Sequence, residues 1–420
     1  MRSWLQKLSV FSIVFFGVFC LFPIERRSLL FILLGAASLL SLIEFKNLKF
    51  HKLVFINSIL FLSYLVALTY TSDIPAALKR FETGASLLIA PLVFSLFYFN
   101  QKGVFSEKVK LLFFKVLHWS NVVFMFIIGV FYIKIKYVDL QEDYGYFLSH
   151  LERRLPFLND HPIYISIIFS VSILFSLHYI LSKKTTVKFN WTYGVSSILL
   201  LLMILFLSRR GVIMGLIISV LSIIVFSYKN NAKQIVTTTI GVLAVICVLL
   251  FLLPQTNKRI GEMLNKTTYT AKNETNSTNN RLQIYKCAID LIKEKPLFGY
   301  GIEDDRTELY QCYKENLYYL FELKFNTHNQ YLSILMKVGI IGLLLFLWFL
   351  YYNLNLAIQT EDWLFVGVII FFSIVMLFEN ILERQNGVML FTFLINYFAF
   401  KNYLVVHESN DFEHINVHSK

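Results

Sequence analysis

The sequence predicts an all-α polytopic membrane protein with about twelve transmembrane helices and a large helical loop on the outer side, between spans 9 and 10. Three observations lead there. Of 420 residues, 56% are hydrophobic and 17% aromatic, and the mean hydropathy is +0.60, far from the composition of soluble domains. Apolar runs long enough to cross a hydrocarbon core recur along the chain. The lysines between them alternate from one connection to the next, as the orientation rule requires. The formal charge of +12 would suggest nucleic acid in a soluble chain, but here it sits in short clusters beside apolar runs, so the expected partner is a membrane and not nucleic acid.

Taken in order, the runs fall at 8–23, 28–45, 53–70, 84–99, 112–133, 162–181, 191–207, 211–228, 235–253, 331–352, 363–379 and 387–403. The first has a basic start like a signal peptide, yet no small-residue cleavage site follows, so it is read as a retained span. With the N-terminus inside, the inner connections hold Lys46, Lys49 and Lys52, then Lys102, Lys108 and Lys110, then Lys183, Lys184 and Lys188, then Lys229 and Lys233. The expected organisation is a bundle of nine spans over 1–253, an outer loop subdomain over 254–330, three spans over 331–403 and an inner tail over 404–420. Of the twelve arginines only Arg2 falls inside. Orientation does not distinguish Arg from Lys, so some outer arginines need another use, such as bidentate grip on phosphate. Arg26, Arg27, Arg80, Arg153 and Arg154 are the ones best read as ending helices or pairing with neighbouring acids.

The loop from Pro254 to Gln330 is the only long polar interval, and loops of that length are functional or disordered. Asn279 or Asn280 is expected to cap a helix starting near Arg281. Leu282, Tyr285, Ala288, Ile289 and Ile292 would form its apolar face, and Pro296 with Gly299-Tyr300-Gly301 would end it. A cation at a helix start has no dipole reason to be there, which makes Arg281 a ligand-facing candidate. Cys287 and Cys312 share the loop and could bridge in an oxidising compartment. In Asn326-Thr327-His328-Asn329-Gln330, His328 stands where the loop re-enters the membrane, either as a general base or as an incidental neighbour of a helix cap at Asn326 or Thr327. No zinc-like spacing accompanies it, and neither metal nor cofactor is expected.

Other outer elements could complete a site. Arg209 and Arg210 in the tight turn Leu207 to Gly211 lie at the membrane boundary, where charge is costly unless paired or facing a polar cavity; the alternative is snorkelling to headgroups. Asp160, His161 and Tyr164 open the sixth span at one level. Glu379 and Glu383, four residues apart, could share a helix face near Arg384, buttressing the arginines or facing water. Charges concentrated at this boundary, with no internal repeat, fit an enzyme better than a transporter or flippase.

This order of motifs resembles the O-antigen ligase superfamily: an Arg-Gly turn between spans, a loop with Arg281, Ile292-Lys293-Glu294-Lys295-Pro296-Leu297-Phe298-Gly299-Tyr300-Gly301, and Thr327-His328-Asn329-Gln330-Tyr331-Leu332. The resemblance is firmest over 200–345 and extends weakly to His161-Pro162 and to 379–387. It implies a GT-C-like glycosyltransferase of the bacterial inner membrane. Such an enzyme moves a glycan from undecaprenyl pyrophosphate to an acceptor hydroxyl on the periplasmic side, with inversion and without metal. For a ligase the acceptor is lipid A-core; polymerases and protein O-oligosaccharyltransferases of the same superfamily use a second lipid-linked unit or a protein. Residue by residue, Arg210 matches the turn arginine that binds pyrophosphate, Arg281 the loop arginine and His328 the histidine that activates the acceptor. Arg209 beside Arg210 departs from the pattern. Arg209, His161, Tyr164, Asn329, Glu379 and Arg384 are the further candidates for holding the pyrophosphate or the acceptor.

Overall fold

The structure, a computed structural model, describes residues 2–140, 143–153, 155, 158, 160–182, 187–252, 277–316 and 318–417. The first part of the long loop, 254–276, and Arg154, Asn159, Lys183 and Lys184 lie outside the described residues. Among those described, the chain is helical throughout, with no strand. In order the helices are α1 (Arg2–Phe15, prolonged by a tighter 3-10 segment Phe16–Leu21), α2 (Ser28–Phe45), α3 (Lys52–Asn57), α4 (Ile59–Ala67), α5 (Ile74–Gly84), α6 (Ser86–Asn100) and α7 (Glu107–Tyr137). They continue with α8 (Tyr144–Arg153), α9 (Pro162–Leu181), α10 (Val187–Leu207), α11 (Arg210–Ser227) and α12 (Ala232–Leu252). Then come α13 (Ser277–Glu294), α14 (Asp304–Asn316), α15 (Tyr318–Glu322), α16 (Gln330–Gln359), α17 (Trp363–Val375) and α18 (Gln385–Val417).

This is an all-α polytopic membrane protein. Eight helical segments among the described residues are long and apolar enough to cross a membrane, and Trp191–Leu207 and Trp363–Val375 are shorter apolar helices. The expected third span is not continuous: it divides at Ser58 into α3 and α4, where Asn57 donates to Asn396 at 2.9 Å and accepts from Asn353 at 3.0 Å. A buried amide is costly to leave unpaired in hydrocarbon, and this ladder of three Asn side chains ties α3, α16 and α18 together. The expected fourth span is the end of a longer segment, Ile74–Asn100.

α18 is the most enclosed of the long helices, because its rings meet rings from every side. Phe393 stacks on Phe16 at 3.8 Å and lies 5.2 Å from Phe113, while Phe398 stacks on Phe365 at 4.9 Å. Offset and edge contacts of this kind add to the area they bury. Ion pairs mark both ends of the bundle. Lys229 pairs with Glu361 at 2.6 Å and Lys401 with Glu107 at 2.7 Å at one end, and the arginine-bearing connections gather at the other.

α11 and α17 approach unusually closely. A Cβ on Gly211 would fall 2.5 Å from the Cβ of Phe378, one on Gly215 3.0 Å from Val375 and one on Gly367 2.5 Å from Ile223. Small residues at such a seam let backbones pack without a hydrophobic driving force. The consequence is that the turn before α11 sits against the segment after α17.

The loop subdomain has its own core of Ile284, Cys287, Ala288, Leu291, Leu309, Tyr313 and Leu320, and a Cys287–Cys312 disulfide joins α13 to α14. The expected apolar face needs correction, since Leu282 is 48% and Ile289 44% exposed. The buried stripe is Ile284, Cys287, Ala288 and Leu291, set by packing on α14 and the start of α16. The helix also starts earlier than expected, at Ser277, so Arg281 lies in its second turn.

The subdomain docks through a break in α16. Gly339 has φ +65° and lies off the helix. The Met336 and Lys337 carbonyls accept from Tyr300 and Gly301 N–H at 2.7 and 3.0 Å, and Ile340 N–H donates to the Pro296 carbonyl at 2.8 Å. Gly299 (φ +71°) and Gly301 (φ +101°) make the turn that fits this gap. Gly339→Ala should be strongly destabilising: a left-handed backbone costs about 1–2 kcal/mol for an L-residue, and the new Cβ would lie 2.1 Å from the Leu297 carbonyl oxygen. Thermal denaturation of the purified variant in detergent should show a Tm several degrees lower, with faster proteolysis within 277–316. For the disulfide, maleimide labelling of Cys287 and Cys312 in denatured protein should require prior reduction.

Candidate functional site

The arginine-bearing end encloses a cavity of about 360 Å³ lined by His161, Tyr164, Arg209, Asn280, Arg281, Phe325, His328, Glu379, Asn380 and Arg384, among others. Four separate parts of the chain therefore meet there: the start of α9, the turn before α11, the loop subdomain and the connection from α17 to α18.

Glu379 organises the centre. Its Oε1 accepts from Arg281 Nη2 at 2.9 Å and its Oε2 lies 3.2 Å from His328 Nδ1. An ionised carboxylate only accepts, so the proton of a neutral His328 sits on Nδ1 and Nε2 is left basic. His328 itself adopts φ +45°. That backbone is held because its N–H donates to Asn326 Oδ1 at 3.1 Å, while Thr327 and Asn380 exchange hydrogen bonds at 2.9 to 3.1 Å. A non-glycine residue kept in that region marks a position over-determined by its surroundings.

Arg209 caps α11 from a non-helical backbone, following Ser208 at φ +53°. It is Arg209 that lines the cavity, and Arg210 is the first residue of α11. His161 caps α9, its Nδ1 accepting from Ile163 N–H at 3.3 Å. Burial, and after it the charges of Arg209, Arg384 and His328, pushes the His161 pKa down to about 3. Its ring is neutral near pH 7. Asn329 does not line the cavity: its Oδ1 accepts from Tyr331 and Leu332 N–H at 2.9 and 3.1 Å, so Asn329, and neither Asn326 nor Thr327, caps α16.

Glu379 and Glu383 do not share a helix face, because α17 ends at Val375 and a 3-10 turn, Ile381–Glu383, follows. Glu383 turns the other way. Its carboxylate accepts from Lys337 at 2.6 Å, Arg306 at 2.8 Å, Asn380 at 3.0 Å and Ser333. A carboxylate this buried persists only when paired and hydrogen-bonded, and here the partners lock α14, the break in α16 and the segment carrying Glu379 into one unit. The sequence signal overlooked was Lys337, a lone charge seven residues into an apolar run. A second buried pair, Arg27–Asp160 at 2.6 Å with both side chains fully enclosed, anchors the residue before His161. Arg80 pairs with Glu303 at 2.6 Å. Much of the arginine-rich end is thus structural, and Arg209, Arg281 and Arg384 are the arginines that line the cavity with His328.

Residues 195–347 match the family described as O-Antigen ligase. Over this segment the chain is similar to that family. The matched stretch runs from α10 into α16 and contains Arg209, Arg210, Arg281 and His328, whereas His161 and Glu379 lie outside it. A protein of Haemophilus influenzae described as uncharacterized is 30% identical over 178 residues, 41% of this chain. The chain spans 44% of that relative's length. Members of that family are glycosyltransferase-like membrane enzymes.

One buried acid outside the cavity gives a pH test of the docked subdomain. Burial, offset in part by Lys337, pushes Asp305 from 3.8 up to about 7. Between those values the folded chain holds a proton that the unfolded chain releases, so this group's stabilisation is full below pH 4 and lost as pH rises through 7. In Asp305→Asn, which keeps an acceptor for Glu303 N–H, that loss should vanish. Tm measured from pH 4 to 8 should fall with rising pH less steeply in the variant than in the wild type.

Proposed function

We propose that this chain is an O-antigen ligase, transferring a glycan from undecaprenyl pyrophosphate to a hydroxyl of lipid A-core on the periplasmic side of the inner membrane. The observation that carries the reading is Glu379, which joins Arg281 and His328 on one carboxylate inside a cavity that Arg209 also lines. His328 Nε2 takes the proton of the acceptor hydroxyl, and the oxygen attacks the anomeric carbon as its bond to the pyrophosphate oxygen breaks. Undecaprenyl pyrophosphate leaves, the configuration inverts, and the proton stays on an imidazolium held by Glu379. Negative charge grows on the leaving group during this step. Preorganised cations at Arg209 and Arg281 stabilise it most at the transition state, so no metal or other cofactor is assigned a role. Arg209 takes the part that the resemblance gave to Arg210, since Arg209 is the residue on the cavity.

An apolar groove of about 440 Å³ between α9, α10, α11 and α12 supports the same donor. Leu205 and Ile213 line it, four residues to either side of Arg209, so a prenyl chain in the groove would place its pyrophosphate near that turn. The disulfide supports an oxidising compartment for the loop over 254–330, with the termini and the Lys-rich connections on the cytoplasmic side.

The test is glycan transfer by purified protein from its lipid-linked donor to lipid A-core. Arg209→Ala, Arg281→Ala and His328→Ala should each lose about 10²–10³-fold in kcat, and Glu379→Gln a similar amount through loss of the His328 tautomer. Arg210→Ala should lose far less. Full activity in all three Ala variants would reject this mechanism, and transfer only to a second lipid-linked unit or to protein would mark a polymerase or an O-oligosaccharyltransferase.

A further inference from the structure

Behind His161 lies a second, smaller cavity of about 200 Å³. It shares His161, Tyr164 and Arg384 with the larger one and adds Gln385 and Asn386 from the start of α18. His161 is thus part of the wall of both.

Asn386 is only 3% exposed. Its Nδ2 donates to Asp160 Oδ1 at 2.9 Å, and because an ionised carboxylate only accepts, the orientation of the amide is set. The other end, Oδ1, is buried with no hydrogen-bond partner. Asp160 has nothing further to offer it: Oδ2 holds Arg27, and Oδ1 also accepts from His161 N–H at 2.8 Å. A buried carbonyl left in this state is costly and calls for a donor. His161 supplies the opposite polarity. With Nδ1 accepting from Ile163, the proton of the neutral ring is on Nε2, a donor on the wall common to both cavities. His161 and Asn386 both line this small polar space, and a donor on one with an acceptor on the other matches a hydroxyl, which accepts one hydrogen bond and donates another.

Given the glycan-transfer reading above, we propose that this second cavity is the acceptor subsite, holding one hydroxyl-bearing sugar residue between Asn386 Oδ1 and His161 Nε2–H. A neighbouring hydroxyl of that acceptor then extends into the larger cavity towards His328. Asn386 and His161 act here as binding residues for the acceptor, distinct from the arginines that face the donor.

The experiment is steady-state transfer by full-length protein in lipid nanodiscs, varying lipid A-core and the undecaprenyl-pyrophosphate-linked glycan separately. Asn386→Leu removes the carbonyl acceptor. Gln385→Trp, at an exposed position that makes no bond to Asp160, fills the space instead and covers the case in which Asn386→Leu does not fold. Each should raise the acceptor KM roughly tenfold, the scale of one lost buried hydrogen bond, with the donor KM changed less than twofold. Wild-type transfer with an unchanged acceptor KM in Gln385→Trp, or a donor KM that rises equally, would overturn the subsite alone. Transfer to a peptide hydroxyl only would overturn a sugar in it. No transfer by the wild type to lipid A-core, to a lipid-linked unit or to peptide would overturn the glycan-transfer reading itself.

Discussion

A helix that breaks inside an apolar run leaves backbone groups that lipid cannot satisfy, and each would cost several kcal/mol if left bare. In this protein the break at Gly339 is filled by the turn from Pro296 to Gly301, backbone to backbone. Everything at the arginine-bearing end depends on that exchange. It brings the loop subdomain down onto the bundle and sets α13 beside the His328 connection, where Tyr285 Oη reaches the carbonyls of His328 and Leu377 at 3.4 Å. It thereby carries Arg281 to Glu379.

Around the break, charge replaces apolar packing. Lys337 and Glu383 form a buried pair, joined by the part-exposed Arg306, and removing either buried partner would cost about 3–5 kcal/mol because the other would be left as an uncompensated ion. Such a set adds little net stability over well-packed hydrocarbon, but it admits few alternative registers. Asn380 belongs to it through Glu383 and to the neighbourhood of His328 through Thr327. The position of the Glu379 carboxylate therefore follows from the same bonds that dock the subdomain.

The glycine seam between α11 and α17 does for the bundle what the turn does for the loop. Without side chains at 211 and 215 the start of α11 can lie against Phe378 and Phe371, which puts Arg209 within the same cavity as Glu379. Two close backbone approaches, one on each side, fix the separation between the cations and the histidine. The buried Arg27–Asp160 pair holds the third wall, where His161 and Asn386 meet.

By itself the sequence determined the all-α membrane class, the gathering of most arginines at one end, and the presence of His328, Arg281 and an arginine turn there. These are legible because hydropathy and charge at a membrane boundary act on each residue locally. It did not determine the continuity of the third run, the buried stripe of α13, the divergence of Glu379 from Glu383, or the choice of Arg209 over Arg210 for the cavity. Those depend on which way a side chain turns, and that is decided by partners remote in the chain: Asn396 for Asn57, Cys312 for Cys287, Lys337 for Glu383 and Phe378 for the backbone of Gly211. A period of three and four residues marks an apolar face only to within one position on the helix, and a pair of adjacent arginines carries no local signal of direction. Only the packed structure supplies it, because only there do the close approaches and buried charges leave one arrangement satisfied.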